Sequence, residues 1–120
     1  MSTPVIPIRE RTFNFAAKII DLCRIIDRKP GIHLTISNQL GKSGTSIGAQ
    51  VEEAYWAQSE ADFIAKFFIG LKEARETDYW LRLVKHTKLV DEMTLVDELL
   101  QEIESIKNII GAILVKKRKL

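Results

Sequence analysis

The sequence predicts an all-α protein that folds as an antiparallel up-down-up-down four-helix bundle. Apolar residues recur at helical spacing in almost every window of the 120 residues. No window alternates with period two for five residues between turn signals, which argues against strands. Capping and turn-forming residues divide the chain into four long stretches with short connections, as in a bundle. The length suits one core, so residues 1–120 are assigned to a single domain.

The first helix is predicted over residues 10–29. It ends at Lys29-Pro30-Gly31, because proline restricts the residue before it and glycine permits a reversal. Its apolar side chains span an arc of about 180°, typical of a core-facing surface. They are Phe13, Phe15, Ala16, Ile19, Ile20, Leu22, Cys23 and Ile26.

The second helix is predicted over residues 33–57 and is rich in small residues. Gly41, Gly44 and Gly48 fall inside it, and each glycine costs about 0.8–1 kcal/mol against alanine in a helix interior. A compensating contact is therefore needed. We expect the backbone of a neighbouring helix to approach closely at these positions.

The third and fourth helices are predicted over residues 59–87 and 93–116. Ser59 stands three residues before Asp62, which is typical of a helix start with a capping serine. Asp78 and Arg82 are four residues apart on the third helix and should pair. Residues 116–120 are predicted to form a basic tail.

Charge and cysteine content narrow the classes of protein that fit. The net charge is +2, but Lys116–Lys119 alone supplies four positive charges, so basicity lies at the chain ends and the middle is neutral or slightly acidic. The longest stretch without a polar side chain, Ile109–Val115, has seven residues, too few to span a membrane. One cysteine makes no internal disulfide, and no signal peptide is readable, so we expect a cytoplasmic protein.

Large aromatic side chains fall outside the apolar stripes of their helices. Trp56, Tyr79 and Trp80 lie there, beside Lys72 and Glu76. Such residues either cover the seams of one bundle or form an interface with another protein. We favour the interface, because aromatic residues are enriched in interface cores.

Three segments resemble one known family, the bacterial four-helix-bundle proteins encoded by intervening sequences of 23S ribosomal RNA genes. Residues 44–54 (GTSIGAQVEEA) are similar to its second-helix motif. Residues 59–66 (SEADFIAK) and 72–81 (KEARETDYWL) are similar to its third-helix motifs. Gln50 departs from the pattern, since the family usually has asparagine there.

The resemblance, which covers about residues 12–115, implies a helical protomer that assembles into a ring-shaped pentamer. A related branch is the accessory protein of diversity-generating retroelements, which binds a reverse transcriptase and nucleic acid, so a nucleic-acid enzyme is a candidate partner. Motif residues together with the off-stripe aromatics give the expected interface between protomers: Glu52, Glu53, Trp56, Lys72, Glu73, Glu76, Tyr79 and Trp80.

The residue types offer little catalytic chemistry. Neither histidine has a glutamate three positions before it, so the di-iron pattern of helical bundles is missing, and Cys23 has no predicted base beside it. We predict no enzymatic activity and no cofactor. A carboxylate-only cation site at Glu52, Glu53, Glu73 and Glu76 is a minor alternative.

Binding of RNA or DNA is the second function that the sequence suggests. Phosphate contacts dominate such binding and need only exposed cations. The candidates are Arg9, Arg11, Arg24, Arg28, Lys29, Lys116, Lys117, Arg118 and Lys119. A protein-binding scaffold without a nucleic-acid role fits the composition equally well, and salt dependence would separate the two.

Overall fold

The computed structural model describes residues 5–118, and these residues form a four-helix bundle. The helices are α1 (Ile8–Ile26), α2 (Ile32–Tyr55), α3 (Glu60–Thr87) and α4 (Met93–Arg118). The described residues contain no strand, so the predicted fold class is confirmed. The predicted tail residue Lys119 lies outside the described residues.

Contacts between side chains fix the antiparallel order of the helices. Glu52, near the end of α2, pairs with Arg9 at the start of α1, and Thr77 of α3 bonds Ser43 of α2. Lys117, at the end of α4, pairs with Glu60 at the start of α3. One end of the bundle therefore holds the start of α1 and the end of α4. We call it the terminal end.

Helix α1 ends three residues earlier than predicted. Asp27 caps it at Ile26, and the next amides, those of Arg28 and Lys29, bond the carbonyls of Ile25 and Ile26 in a tighter turn. Because Pro30 restricts Lys29, regular helix stops before it. Gly31 then takes φ +83°, a conformation that L side chains rarely adopt, and α2 begins.

The glycines of α2 lie against α1, as the sequence analysis expects. A methyl group built on Gly48 would stand 3.2 Å from the backbone oxygen of Thr12. One built on Gly44 would stand 2.8 Å from a side-chain carbon of Ile19. The absence of side chains at these positions lets the two helices pack closely, which offsets the helix propensity lost at glycine.

Helices α3 and α4 begin and end as their sequences favour. The Ser59 hydroxyl accepts a bond from the Asp62 amide at 3.0 Å, so the predicted cap is confirmed. Lys88 ends α3 in the left-handed conformation. Helix α4 continues to Arg118, so Lys116–Arg118 are helical and do not form a tail. Their positive charges suit a helix C-terminus, which carries a partial negative charge.

The core is one apolar cluster to which all four helices contribute. Its largest fully buried side chains are Phe15, Ile19, Leu22, Ile26, Leu40, Ile47, Phe67, Leu81, Leu99, Ile103, Ile106 and Ile110. One polar pair lies within it, the hydroxyls of Ser43 and Thr77, 2.9 Å apart. This pair joins the middle of α2 to the middle of α3.

Candidate functional site

Five of the predicted interface residues share a stretch of α3. Lys72, Glu76 and Tyr79 are exposed there, and Glu73 is half-buried. Tyr79 keeps 47% of its surface exposed and packs edge-on against Trp80 at 5.0 Å between ring centroids. These side chains form a polar and aromatic strip along the middle of α3.

Trp80 is more buried than Tyr79, its neighbour in this strip. Its ring is half-buried and packs against the core, and its Nε1 is buried without a hydrogen-bond partner among the described residues. The ring therefore fills a seam of its own bundle, because the helix wheel underestimated the width of the buried face of α3. Tyr79, in contrast, stands outside that seam.

The other three predicted interface residues lie apart from this strip. Glu52, Glu53 and Trp56 lie where α2 ends, at the terminal end of the bundle. Trp56 is 13 positions beyond Ser43, which contacts Thr77, and this separation is about 20 Å along the helix. Trp56 is 78% exposed. The eight residues thus form two patches rather than one.

The carboxylates of these patches have different surroundings. A side-chain hydrogen bond from Arg9 holds the pKa of Glu52 below its usual value. Burial, followed by the nearby charge of Glu76, raises the pKa of Glu73. Among residues 5–118, no three His, Cys, Asp or Glu side chains converge as metal ligands, so the carboxylate-only cation site is not formed.

The arginines near the start of α1 serve the fold. Arg9 makes two hydrogen bonds to Glu52, of 2.8 and 3.3 Å, and Arg11 makes two to Glu102, of 2.6 and 3.0 Å. Paired guanidinium groups of this kind link α1 to α2 and to α4. They offer less charge to a phosphate than their count in the sequence suggests.

The remaining basic residues divide between the two ends of the bundle. Arg24, Arg28 and Lys29 lie at the end opposite the terminal end, where Arg28 pairs with Glu92 of the α3–α4 connection at 3.1 Å. Lys116 and its two successors lie at the terminal end. The predicted nucleic-acid residues therefore do not form one surface on a single chain.

The last turn of α4 combines cations with aromatic rings. Lys117 pairs with Glu60 at 3.1 Å and lies 5.0 Å from the centroid of the Phe63 ring. The Arg118 guanidinium lies 5.4 Å from the centroid of Phe68. Lys116 is exposed, and its ammonium makes no ion pair among the described residues.

An exposed apolar surface on α1 was missed by the sequence analysis. Phe13 and Ile20 belong to the predicted apolar arc, yet they are 71% and 44% exposed. Phe13 lines a cavity of about 190 Å³ together with Gly48 and Ala49 of α2. The sequence does contain a signal for this surface, because an apolar arc of about 180° is wider than the apolar stripe by which a surface helix packs on its core.

The comparisons with known proteins place this architecture in a family. Residues 6–112 match the family model described as 23S rRNA-intervening sequence protein. The chain belongs to this family. The match covers the parts of all four helices that build the core, and it confirms the resemblance seen in the motifs of α2 and α3.

One solved structure similar to this 23S rRNA-intervening sequence family member comes from Bacteroides thetaiotaomicron. It is described as a protein with unknown function from the S23 ribosomal protein family. The two chains are 34% identical, the match covers 90% of this chain and 98% of that chain, and the TM-score is 0.81. No curated protein matches the chain. The family is thus established together with the fold.

Gln50, the position at which this chain departs from the family's usual asparagine, lies opposite Gly70 of α3. Its Cβ would lie 3.8 Å from a methyl group built on Gly70 of α3, an ordinary contact distance. Gln50 therefore lies beside α3 at a position where that helix carries a glycine.

The polar groups elsewhere in this family member are engaged in local contacts. The Cys23 thiol lies 3.5 Å from the Ser37 carbonyl oxygen, and burial raises its pKa, which disfavours the reactive thiolate. His33 contacts the carbonyl oxygen of Leu89 at 3.3 Å. None of the described helices is long and apolar enough to cross a membrane.

Proposed function

We propose that this chain is a non-enzymatic, self-assembling helical bundle of the cytoplasm that acts as a nucleic-acid-binding accessory or scaffold. The observation that carries the proposal is the exposure of large apolar side chains on a single chain. Trp56, Phe13 and Tyr79 are 78%, 71% and 47% exposed and lie on three different helices or helix ends. Phe13 shares its face of α1 with the exposed Ile20, and Tyr79 shares its face of α3 with the exposed Ile69, so these rings belong to larger apolar surfaces of the kind that mark contacts with other proteins.

A ring of five copies is the assembly that the family resemblance implies. The direct test is the mass of the purified protein in solution, measured by light scattering over a concentration series. A mass of several times 13.7 kDa supports assembly, and a ring of five would give about 68 kDa. A mass of 13.7 kDa at every concentration would contradict it.

The last turn of α4 is the best candidate for contact with phosphates. Lys116 is exposed and unpaired among the described residues, and Arg118 is exposed beside it. Two or three cations on one chain bind weakly. Assembly multiplies them, because linked weak sites gain effective concentration without new contacts.

Charge reversal at this turn tests nucleic-acid binding. The variant Lys116→Glu/Arg118→Glu should weaken binding to a single-stranded RNA. For each chain in contact, the slope of log K against log salt should become shallower by about 1.4, since each phosphate contact contributes about 0.7. A matched control, Lys42→Glu/Lys88→Glu, changes the charge equally at exposed lysines away from the terminal end. Equal loss of affinity in both variants would contradict a site at α4.

A protein-binding scaffold is the second candidate, with a nucleic-acid enzyme such as a reverse transcriptase as one partner class. The pairing of Arg9 and Arg11 within the chain favours it, because fewer free cations remain than the sequence suggests. Comparing the purified protein before and after nuclease treatment shows whether nucleic acid is bound to it, and this separates the nucleic-acid-binding accessory from the protein-binding scaffold. Absence of bound nucleic acid, together with RNA affinity that is negligible at about 0.15 M salt, would favour the scaffold.

A further inference from the structure

The outward face of α3 carries a second stripe, distinct from the face that packs in the core. Its members follow one another at intervals of four, three, four, three and four residues, which is the seven-residue repeat of helices that pack side by side. We call them the α3 outer stripe: Ala65, Ile69, Lys72, Glu76, Tyr79 and Leu83. All are exposed except Leu83, which is half-buried.

Read from either end, this stripe has two apolar side chains, then two of opposite charge, then two apolar side chains, and only the order of the two charges differs. Apolar residues occupy both ends, and a lysine and a glutamate occupy the two central positions. Two such helices placed antiparallel, with the symmetry axis at the level of Ala74, bring Lys72 of each copy opposite Glu76 of the other. In the same register, Ile69 of each copy meets Tyr79 of the other.

The central charges are free to make this contact. Neither Lys72 nor Glu76 forms an ion pair with any residue of the described chain, although they are four positions apart on one helix. A lysine that precedes a glutamate by four positions is the weaker orientation for pairing within a helix. Both charges are therefore available to a partner.

From this self-complementarity we infer that the α3 outer stripe binds the same stripe of a second copy in an antiparallel, two-fold contact. The inference rests on the proposed self-assembly and names one of its surfaces. A two-fold contact uses the same patch on both chains, so it closes after two copies. In a ring-shaped assembly it would join protomers of two different rings.

Charge reversal tests the contact, with the mass in solution as the readout. Lys72→Glu places two glutamates opposite each other in each half of the contact, and Glu76→Lys places two lysines there. Each single variant should raise the dissociation constant at least about tenfold, because opposed like charges are strongly unfavourable at interfaces. Lys29→Glu, which has the same charge change away from α3, should leave the mass unchanged.

Two combinations restore the complementary charges if the contact is two-fold. The double variant Lys72→Glu/Glu76→Lys should assemble like the original chain, and so should an equimolar mixture of the two single variants. Far-UV circular dichroism of each variant should show unchanged helicity.

Three outcomes would overturn the inference. If both single variants keep the mass of the original chain, self-assembly stands without the α3 contact. If they lose that mass and neither combination restores it, the contact is not an antiparallel two-fold contact of this stripe. An original chain that stays at 13.7 kDa would overturn self-assembly itself.

Discussion

Replacement of Gly44 by alanine should destabilise the bundle, although alanine is the better helix former. The added methyl group would lie 2.8 and 2.9 Å from two side-chain carbons of Ile19, closer than packed carbon atoms approach. Ile19 is fully buried, so its side chain has little room to move away. Overpacking of a well-packed core in this way lowers the free energy of unfolding by about 1–3 kcal/mol.

The gain in helix propensity opposes that cost. Alanine is favoured over glycine by about 1 kcal/mol in a helix interior. Because the buried Ile19 cannot move away, the cost should lie in the upper part of its range, and Gly44→Ala should lower the free energy of unfolding by about 1–2 kcal/mol. Gly111→Ala is the matched control, because no described atom lies within 4 Å of a methyl group built there. It should stabilise the protein by about 0.5–1 kcal/mol.

Urea unfolding followed by far-UV circular dichroism measures both variants. The protein concentration must be the same in every experiment, since the proposed self-assembly would add to the apparent stability. The difference between the two variants should reach about 2 kcal/mol, well above the error of the method. Equal stabilities would show that Ile19 yields without cost and that close packing is not the reason for glycine at this position.

Three further predictions follow from local contacts. Ser43→Ala and Thr77→Val should each cost about 1 kcal/mol, and the double variant should cost less than their sum because the two hydroxyls share one hydrogen bond; additive costs in urea unfolding would contradict this. Cys23 should react with iodoacetamide at pH 8 at least about tenfold more slowly in the folded than in the unfolded chain, because burial raises its pKa. The stability that the neutral thiol contributes is complete below its unfolded pKa and is lost as the pH rises through the folded pKa, a loss that Cys23→Ala should not show. The pairing of Glu52 with Arg9 lowers the glutamate pKa, so its stabilisation should be present above pH about 4.3 and lost in more acidic solution; Arg9→Ala should remove this dependence from acid unfolding curves.

The fold was predictable from the sequence because local signals and the apolar period agree. Ser59 caps α3, and the Pro30-Gly31 pair separates α1 from α2. The close approach of α1 to Gly48 was also predictable, because glycines in a helix interior need a compensating contact. The pairing of Asp78 with Arg82, at 3.4 Å, depends only on their spacing along one helix.

The surfaces were less predictable, because they depend on which helices touch. The periodicity of α1 does not reveal that part of its apolar arc, including Phe13, faces away from the core. The partners of Arg9 and Arg11 lie 43 and 91 positions away, so their ion pairs follow only from the bundle geometry. The partial burial of Trp80 depends on the same geometry, since a seam between helices covers a ring that a single helix would expose.

If the chain binds nucleic acid as proposed, its distribution of charges makes assembly a condition for that binding. Arg9 and Arg11 form ion pairs that link α1 to α2 and α4, and Arg28 forms an ion pair with the α3–α4 connection. Among the described cations of the terminal end, Lys116 and Arg118 are left without a carboxylate partner, too few for useful affinity on one chain. A single chain is therefore expected to bind nucleic acid poorly, whatever its net charge. If a variant that remains folded but has the mass of a single chain in solution still binds RNA as tightly as the assembly does, the cations of one chain suffice and this coupling is wrong.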